Sequence, residues 1–135
     1  MNVPFVVPFY GAIFALIYIG LTIRVIMLRN TTHVSLGNGG DPVLERAIRI
    51  HANFIEYVPL ALILLTAMEM QRRSIYVLHI LCLLLLLGRI CHFFALSREN
   101  TVNALRGAGV TLTVLVLAVA AIILIIDFFR ILPTT

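Results

Sequence analysis

The chain has 135 residues, of which 61% are hydrophobic and only 12% charged, and its mean hydropathy is +1.09. A water-soluble domain of this size cannot bury that much apolar surface, so the composition predicts a single membrane domain over 1–135. The formal charge is +4, and all ten basic residues are Arg. These Arg residues are scattered through apolar segments rather than gathered in a basic stripe, which argues against nucleic-acid binding.

Four apolar segments predict membrane-spanning helices over about 5–28, 42–70, 74–96 and 101–129. The first has no basic n-region and no small-residue cleavage site, so we expect a retained helix rather than a signal peptide. Asp41 and Pro42 suit the N-cap and first position of the second helix. Asn100 or Thr101 would cap the fourth. The fold class predicted is an all-α integral membrane four-helix bundle.

The Arg residues also predict an orientation. Those towards the first and third loops are Arg24, Arg29, Arg46, Arg49, Arg89, Arg98 and Arg106, and those towards the other side are Arg72, Arg73 and Arg130. The positive-inside rule then places these two loops in the cytoplasm and both termini on the outer, periplasmic side.

The second helix carries an unusual row of polar side chains at its start. At 100° per residue, Arg46, Arg49, Asn53 and Glu56 fall in a sector about 80° wide, whereas His51 lies on another face. We call these four residues the polar stripe. A charge near the bilayer centre costs on the order of 3 kcal/mol on insertion scales, so the stripe must face other helices or a wet cavity.

Other helices supply further polar groups that can join the stripe. If the helices close into a bundle, Arg24, Arg89, His92 and Arg106 converge with it in the cytoplasmic half of the membrane. The result would be an Arg-rich pocket whose ligand is small, anionic and carries more than one acidic group. The structural alternative is that Glu56 pairs with Arg49 or Arg89 and nothing binds, but one carboxylate cannot balance so many Arg residues.

The stripe lies within a recognisable motif, "RAIRIHANFIEYVP". This segment resembles the helix 2 signature of the MAPEG family, the membrane-associated proteins in eicosanoid and glutathione metabolism. The matching positions are Arg49, Asn53, Glu56 and Pro59. "GRICH" at 88–92 is similar to the helix 3 motif of the family, and Arg24 and Arg106 stand where its first and fourth helices have Arg. The chain looks most like the short bacterial inner-membrane branch, and it resembles the microsomal glutathione transferases.

The resemblance implies a homotrimer that binds glutathione as co-substrate between neighbouring subunits, facing the cytoplasm. It implies that Arg49, Asn53 and Glu56 hold the peptide, that Arg24 and His92 lie nearby, and that Arg106 holds the thiol as a catalytic thiolate. Tyr57 and Arg89 are additional contact candidates, although Tyr57 is equally explained as an interhelical packing residue. The thiolate would attack a lipophilic small molecule arriving from the membrane lipid, as in a transferase or peroxidase.

Two other functions stay open at this point. One is a non-catalytic membrane trimer that binds glutathione or another small dicarboxylate, which is consistent with Leu96 standing where well-studied eukaryotic members have Tyr. The other is a proton-coupled carrier using Glu56 and His92, which is disfavoured because 135 residues are too few for the inverted repeats usual in transporters. No metal site is predicted, because His79 and Cys82 are too far along their helix from His92.

Three smaller expectations concern the ends of the bundle. Asp127 and Arg130 have the i, i+3 spacing of an ion pair within one helix. Glu69, Arg72 and Arg73 are expected to form a solvated break. The small residues of the fourth helix predict close helix approach and subunit packing; they are Ala104, Gly107 and Ala108.

Overall fold

The computed structural model describes residues 4–97 and 103–131, which form four α-helices. The helices are α1 (Val6–Thr32), α2 (Pro42–Met70), α3 (Ile75–Ser97) and α4 (Asn103–Ile131). All four are long and apolar enough to cross a membrane. The predicted all-α four-helix architecture is therefore confirmed. Arg98 and the predicted cap at Asn100 or Thr101 lie outside the described residues.

Local side-chain chemistry sets two helix ends. The carboxylate of Asp41 accepts hydrogen bonds from the N–H groups of Val43 and Leu44, at 2.7 and 2.8 Å, which fixes the start of α2. At its C-terminus α1 continues to Thr32, beyond the expected end near residue 28. His33 then adopts a left-handed conformation, with φ of 55°, and its N–H bonds to the carbonyl of Arg29.

Helices α2 and α3 form the centre of the bundle, because each packs on the other and on both α1 and α4. Their shared core is built from large side chains that are almost fully buried, including Phe14, Leu65, Met68, Leu78, Leu85 and Val116. The outward faces are apolar as well, with Leu16, Ile63, Ile80 and Phe129 exposed. A surface this apolar is typical of a chain whose solvent is lipid.

A close helix crossing joins α3 to α4 at two glycines. A Cβ on Gly109 would lie 2.7 Å from the carbonyl oxygen of Gly88 and 2.9 Å from the backbone nitrogen of His92. Both distances are too short for a real Cβ, so the absence of a side chain lets the two backbones touch. This crossing places Arg89, next to Gly88, directly against α4.

The small residues singled out in the sequence lie elsewhere. Ala104, Gly107 and Ala108 are exposed on the outer surface of α4 in the single chain, so they do not make the close crossing. Helical periodicity identified a face rich in small residues but not which neighbour that face meets. Packing of this face against another subunit stays a prediction.

At the end of the bundle remote from the polar stripe, two carboxylates link neighbouring elements to each other. Glu69, near the end of α2, accepts hydrogen bonds from the first N–H groups of α1, at 2.7 to 2.8 Å. Those N–H groups have no partner within their own helix, so Glu69 serves as an N-cap supplied by another helix. The expectation that Glu69 lies in a solvated break is therefore wrong.

The second carboxylate, Asp127 on α4, pairs with Arg73 rather than with Arg130. The Nε of Arg73 donates to Oδ2 of Asp127 at 2.9 Å, and an Nη group contacts the other carboxylate oxygen. This two-point geometry is stronger than a single contact along one helix, which explains why the tertiary partner is favoured. The predicted pair within α4 is thus replaced by a link from the α2–α3 connection to α4.

The Gly88–Gly109 crossing yields a prediction of stability. Gly109→Ala should lower the free energy of unfolding by about 1–3 kcal/mol, because the new methyl group forces α3 and α4 apart. Gly11→Ala is the matched control, since a Cβ there meets only Cδ1 of Leu62 at an ordinary 4.0 Å. Thermal denaturation in detergent measures both, and equal melting temperatures would contradict the close crossing.

Candidate functional site

The most buried charge in the described structure is the guanidinium of Arg89, whose residue is only 5% exposed. Its Nη1 donates to Oδ1 of Asn53 at 2.6 Å and to the carbonyl of Asn53 at 3.3 Å. Its Nη2 donates to the hydroxyl of Thr113 and to the carbonyl of Gly109, the latter at 3.5 Å. We call these four residues the Arg89 network, and it links α2, α3 and α4.

The network determines which way the Asn53 amide faces. A guanidinium can only donate hydrogen bonds, so the amide atom next to Arg89 must be the oxygen. The NH₂ group of Asn53 consequently keeps both N–H donors for other partners. Because Asn53 is only half buried, those donors are available to a ligand that offers oxygen acceptors.

Thr113 completes the network from α4. Its side chain is 1% exposed, it accepts from Arg89, and its own hydroxyl donates to the carbonyl of Gly109 at 2.9 Å. Thr113 and Gly109 were not among the residues predicted from the sequence. The sequence did contain a signal for Thr113. It follows Arg106 by seven residues and so lies within about 20° of it around the helix, on the same face as a predicted site residue.

The rest of the polar stripe lies on the outside of the single chain. Arg49 and Glu56 are exposed, and Arg46 is half buried. Within residues 4–97 and 103–131, Glu56 forms no ion pair with Arg49 or Arg89; the partner of Arg89 is the neutral Asn53. The structural alternative, in which Glu56 pairs with Arg49 or Arg89 inside the chain, is therefore not observed among these residues.

Two further predicted residues flank the stripe. Tyr57 is half buried, and the guanidinium carbon of Arg89 lies 5.6 Å from the centre of its ring, a cation–π arrangement. Arg106 is exposed on the first turns of α4. The single chain thus brings Asn53, Tyr57 and Arg89 together, whereas Arg49, Glu56 and Arg106 lie on its surface.

Arg24 and His92 lie, with Arg89, on the wall of a cavity of about 350 Å³ between α1, α2 and α3. Arg24 donates to the hydroxyl of Ser97 at 3.3 Å, and its guanidinium carbon lies 5.4 Å from the ring centre of Phe93. His92 is buried. Leu96, in the position where well-studied eukaryotic members have Tyr, is half buried against the hydrophobic core.

His51, which periodicity placed off the stripe, packs towards α1. Its ring stacks on Tyr18 with centroids 4.9 Å apart, and its Nε2 is 3.1 Å from the hydroxyl of Thr22. Both contacts hold α1 against α2. The helical period therefore separated the residue that joins the helices from the residues that line the stripe.

Comparison with known proteins identifies the family of this fold and motif. The model of the MAPEG family matches residues 7–126, a segment that reaches into all four helices. The chain belongs to the MAPEG family. It is thus a membrane protein of the family named for eicosanoid and glutathione metabolism, and the resemblance seen in the helix 2 motif is confirmed.

Relatives of this MAPEG protein include the inner membrane protein YecN of Escherichia coli strain K12. The two are 38% identical over 85 residues, which is 63% of this chain and 65% of YecN. The YecN protein of Escherichia coli strain CFT073 matches to the same extent. The match therefore spans just under two thirds of the length of these relatives. No solved structure matches the chain.

The Arg89 network leads to a prediction about stability in this MAPEG protein. Thr113→Val keeps the side-chain shape but removes the hydroxyl that Arg89 needs, so it should lower the free energy of unfolding by about 1–3 kcal/mol. Thr111→Val, at an exposed position of the same helix, should change it little. Denaturation of both variants in detergent checks this, and a Thr113→Val protein as stable as wild type would show that the hydroxyl is dispensable.

Proposed function

We propose that this MAPEG protein is an integral membrane glutathione transferase or peroxidase that works as a homotrimer. The observation that carries the proposal is the Asn53 amide, fixed by Arg89 with its donors outward, within a polar stripe on an apolar surface. Polar side chains do not face lipid at membrane depth. A neighbouring subunit that covers the stripe would create an enclosed site between chains.

Glutathione suits such a site because of its charges. Its two carboxylates would pair with guanidinium groups such as Arg49, its carbonyl oxygens would accept from the NH₂ group of Asn53, and its ammonium would pair with Glu56. Arg24 and His92 are proposed to lie nearby, with Tyr57 beside the peptide. Arg89, which is buried and engaged with three other residues, would act by orienting Asn53.

Arg106 is proposed as the catalytic residue. Its exposed guanidinium would stabilise the glutathione thiolate, which is the nucleophilic form of the thiol. In conjugation, the sulfur lone pair forms a carbon–sulfur bond to a lipophilic electrophile, and the electron pair of the broken bond leaves with the departing group or opened ring oxygen, which takes up a proton.

The proposed location is the bacterial inner membrane. It is supported by the four apolar helices and by the relative YecN, whose name describes an inner membrane protein. The Arg distribution supports an orientation with both termini outside. The stripe would then face the cytoplasm.

A second function is favoured by Leu96. Because this apolar side chain packs against the core where eukaryotic members have a Tyr hydroxyl, the site would have one fewer group to activate a thiol. The alternative is a non-catalytic trimer that binds glutathione or another small dicarboxylate. It predicts binding without formation of a thiolate.

The test is an ultraviolet thiolate difference spectrum of the purified protein with glutathione. Wild type should give a signal that Arg106→Leu loses, because the stabilising cation is gone. Arg130→Leu is the matched control, since it removes an exposed Arg from the other end of α4 and should keep the signal. Calorimetric binding without a signal in wild type would establish the non-catalytic function, and an absence of binding would overturn both.

A further inference from the structure

A second group of charged residues lies at the end of the bundle remote from the polar stripe. Arg73 pairs with Asp127 through both carboxylate oxygens, and Arg72 precedes it in the α2–α3 connection. Arg130 follows Asp127 by three residues, so it lies about one turn further along α4 on a neighbouring face. We call these four residues the far-end cluster. Three guanidinium groups are therefore placed around a single carboxylate.

The far-end cluster carries more positive than negative charge. Within the described part of the chain, its one ion pair joins Arg73 to Asp127. The other carboxylate nearby belongs to Glu69, whose two oxygens accept hydrogen bonds from the first N–H groups of α1. Arg72 and Arg130 are both exposed. Two cations thus face the surroundings of the protein.

The backbone at Arg72 gives an independent reason to expect a partner for its side chain. Arg72 has φ of 59°, a left-handed conformation that ends α2. The N–H of Arg73 then bonds to the carbonyl of Met68 at 3.2 Å and closes the last turn. Glycine is the favoured residue at such a position, because a side chain there is strained. The Arg72 side chain that occupies it is exposed, so it faces a partner outside the bundle.

The surface beside the far-end cluster shows at which level of a membrane it lies. Arg72 stands between two membrane-spanning helices, and Arg130 is next to the last residue of α4. Tyr76, on the first turn of α3, is 74% exposed, and tyrosine on a lipid-facing surface is typical of the headgroup level. Towards the bilayer centre, α4 presents Phe129 and then Ile125 to lipid. Cations at the membrane surface with hydrocarbon beneath them match the chemistry of a phospholipid.

We propose that the far-end cluster binds the phosphate of a phospholipid with net negative charge, such as phosphatidylglycerol. Arg72 and Arg130 donate to the phosphate oxygens, which suit the fork of a guanidinium group, and the acyl chains lie along the apolar face of α4. A zwitterionic phospholipid binds more weakly, because the cation in its own headgroup already offsets the charge of the phosphate. This site lies at the other end of the bundle from the polar stripe, and it does not depend on the proposed function.

The test uses the absence of Trp from the sequence. Phe129→Trp places one fluorophore beside the far-end cluster, at an exposed aromatic position. Leu16→Trp places one at an exposed position of α1, which makes no contact with α4 in the described structure. Each protein is reconstituted in phosphatidylcholine vesicles, and quenching of its fluorescence by brominated phosphatidylglycerol is compared with quenching by brominated phosphatidylcholine. In the Phe129→Trp protein the anionic lipid should bind at least about fivefold more tightly; in the Leu16→Trp protein the two lipids should bind equally.

Further variants in the Phe129→Trp protein assign this preference to the far-end cluster. Arg72→Gly combined with Arg130→Gln should abolish the preference, because both exposed cations are lost. This double variant should melt no lower than its parent, since glycine relieves the strain at position 72. Arg106→Gln is the matched control, because it removes an exposed Arg from the opposite end of α4 and should keep the preference.

Three results would overturn the lipid site. The first is equal binding of the two lipids in the Phe129→Trp protein, and the second is the same preference in the Leu16→Trp protein, which would show that the whole surface favours anionic lipid. The third is a preference that survives the loss of Arg72 and Arg130. Excess inorganic phosphate should leave the preference intact, because it has no acyl chains; if it abolishes the preference, the cluster binds free phosphate and the lipid proposal is wrong.

Discussion

A buried guanidinium needs hydrogen-bond acceptors that hydrocarbon cannot supply, and this requirement at Arg89 fixes the geometry of three helices. Its acceptors come from Asn53 on α2 and from Thr113 and Gly109 on α4. They are within reach only because Gly88 and Gly109 let the backbones of α3 and α4 touch. The close packing of Gly88 on Gly109 and the hydrogen bonding of the buried Arg89 guanidinium therefore depend on each other.

Around the Arg89 network, the remaining polar groups lie in two different environments. On one side, Asn53 is held with its donors outward beside Arg49 and Glu56, on a surface that a second subunit would have to cover. On the other side, Arg24 and Arg89 line a mostly apolar cavity between α1, α2 and α3. Arg89 contributes to both. A chain with many Arg residues and few acids therefore carries both a polar stripe on its surface and a mostly apolar cavity with basic residues on its wall.

Much of this could be predicted from the sequence, because helical period and apolar length are local properties. They gave the four helices, the start of α2 at Asp41 and Pro42, and the face that groups Asn53 with Arg49. They could not give tertiary partners, since a period defines a face but not the helix opposite it. For that reason the partner of Asp127 proved to be Arg73, Glu69 proved to cap α1, and the acceptors of Arg89 on α4 were missed.

Asn53→Asp distinguishes the orienting role of Arg89 from a purely structural contact. An aspartate can still accept from Arg89, so the variant should melt at or above the wild-type temperature, yet it should lose glutathione binding because its outward donors are gone. Asn30→Asp, an exposed substitution of equal charge on α1, should keep both properties. Calorimetric titration with glutathione, alongside thermal denaturation, measures the difference. A folded Asn53→Asp protein that binds glutathione like wild type, or one that unfolds, would contradict the assignment of Asn53 as a donor oriented by Arg89.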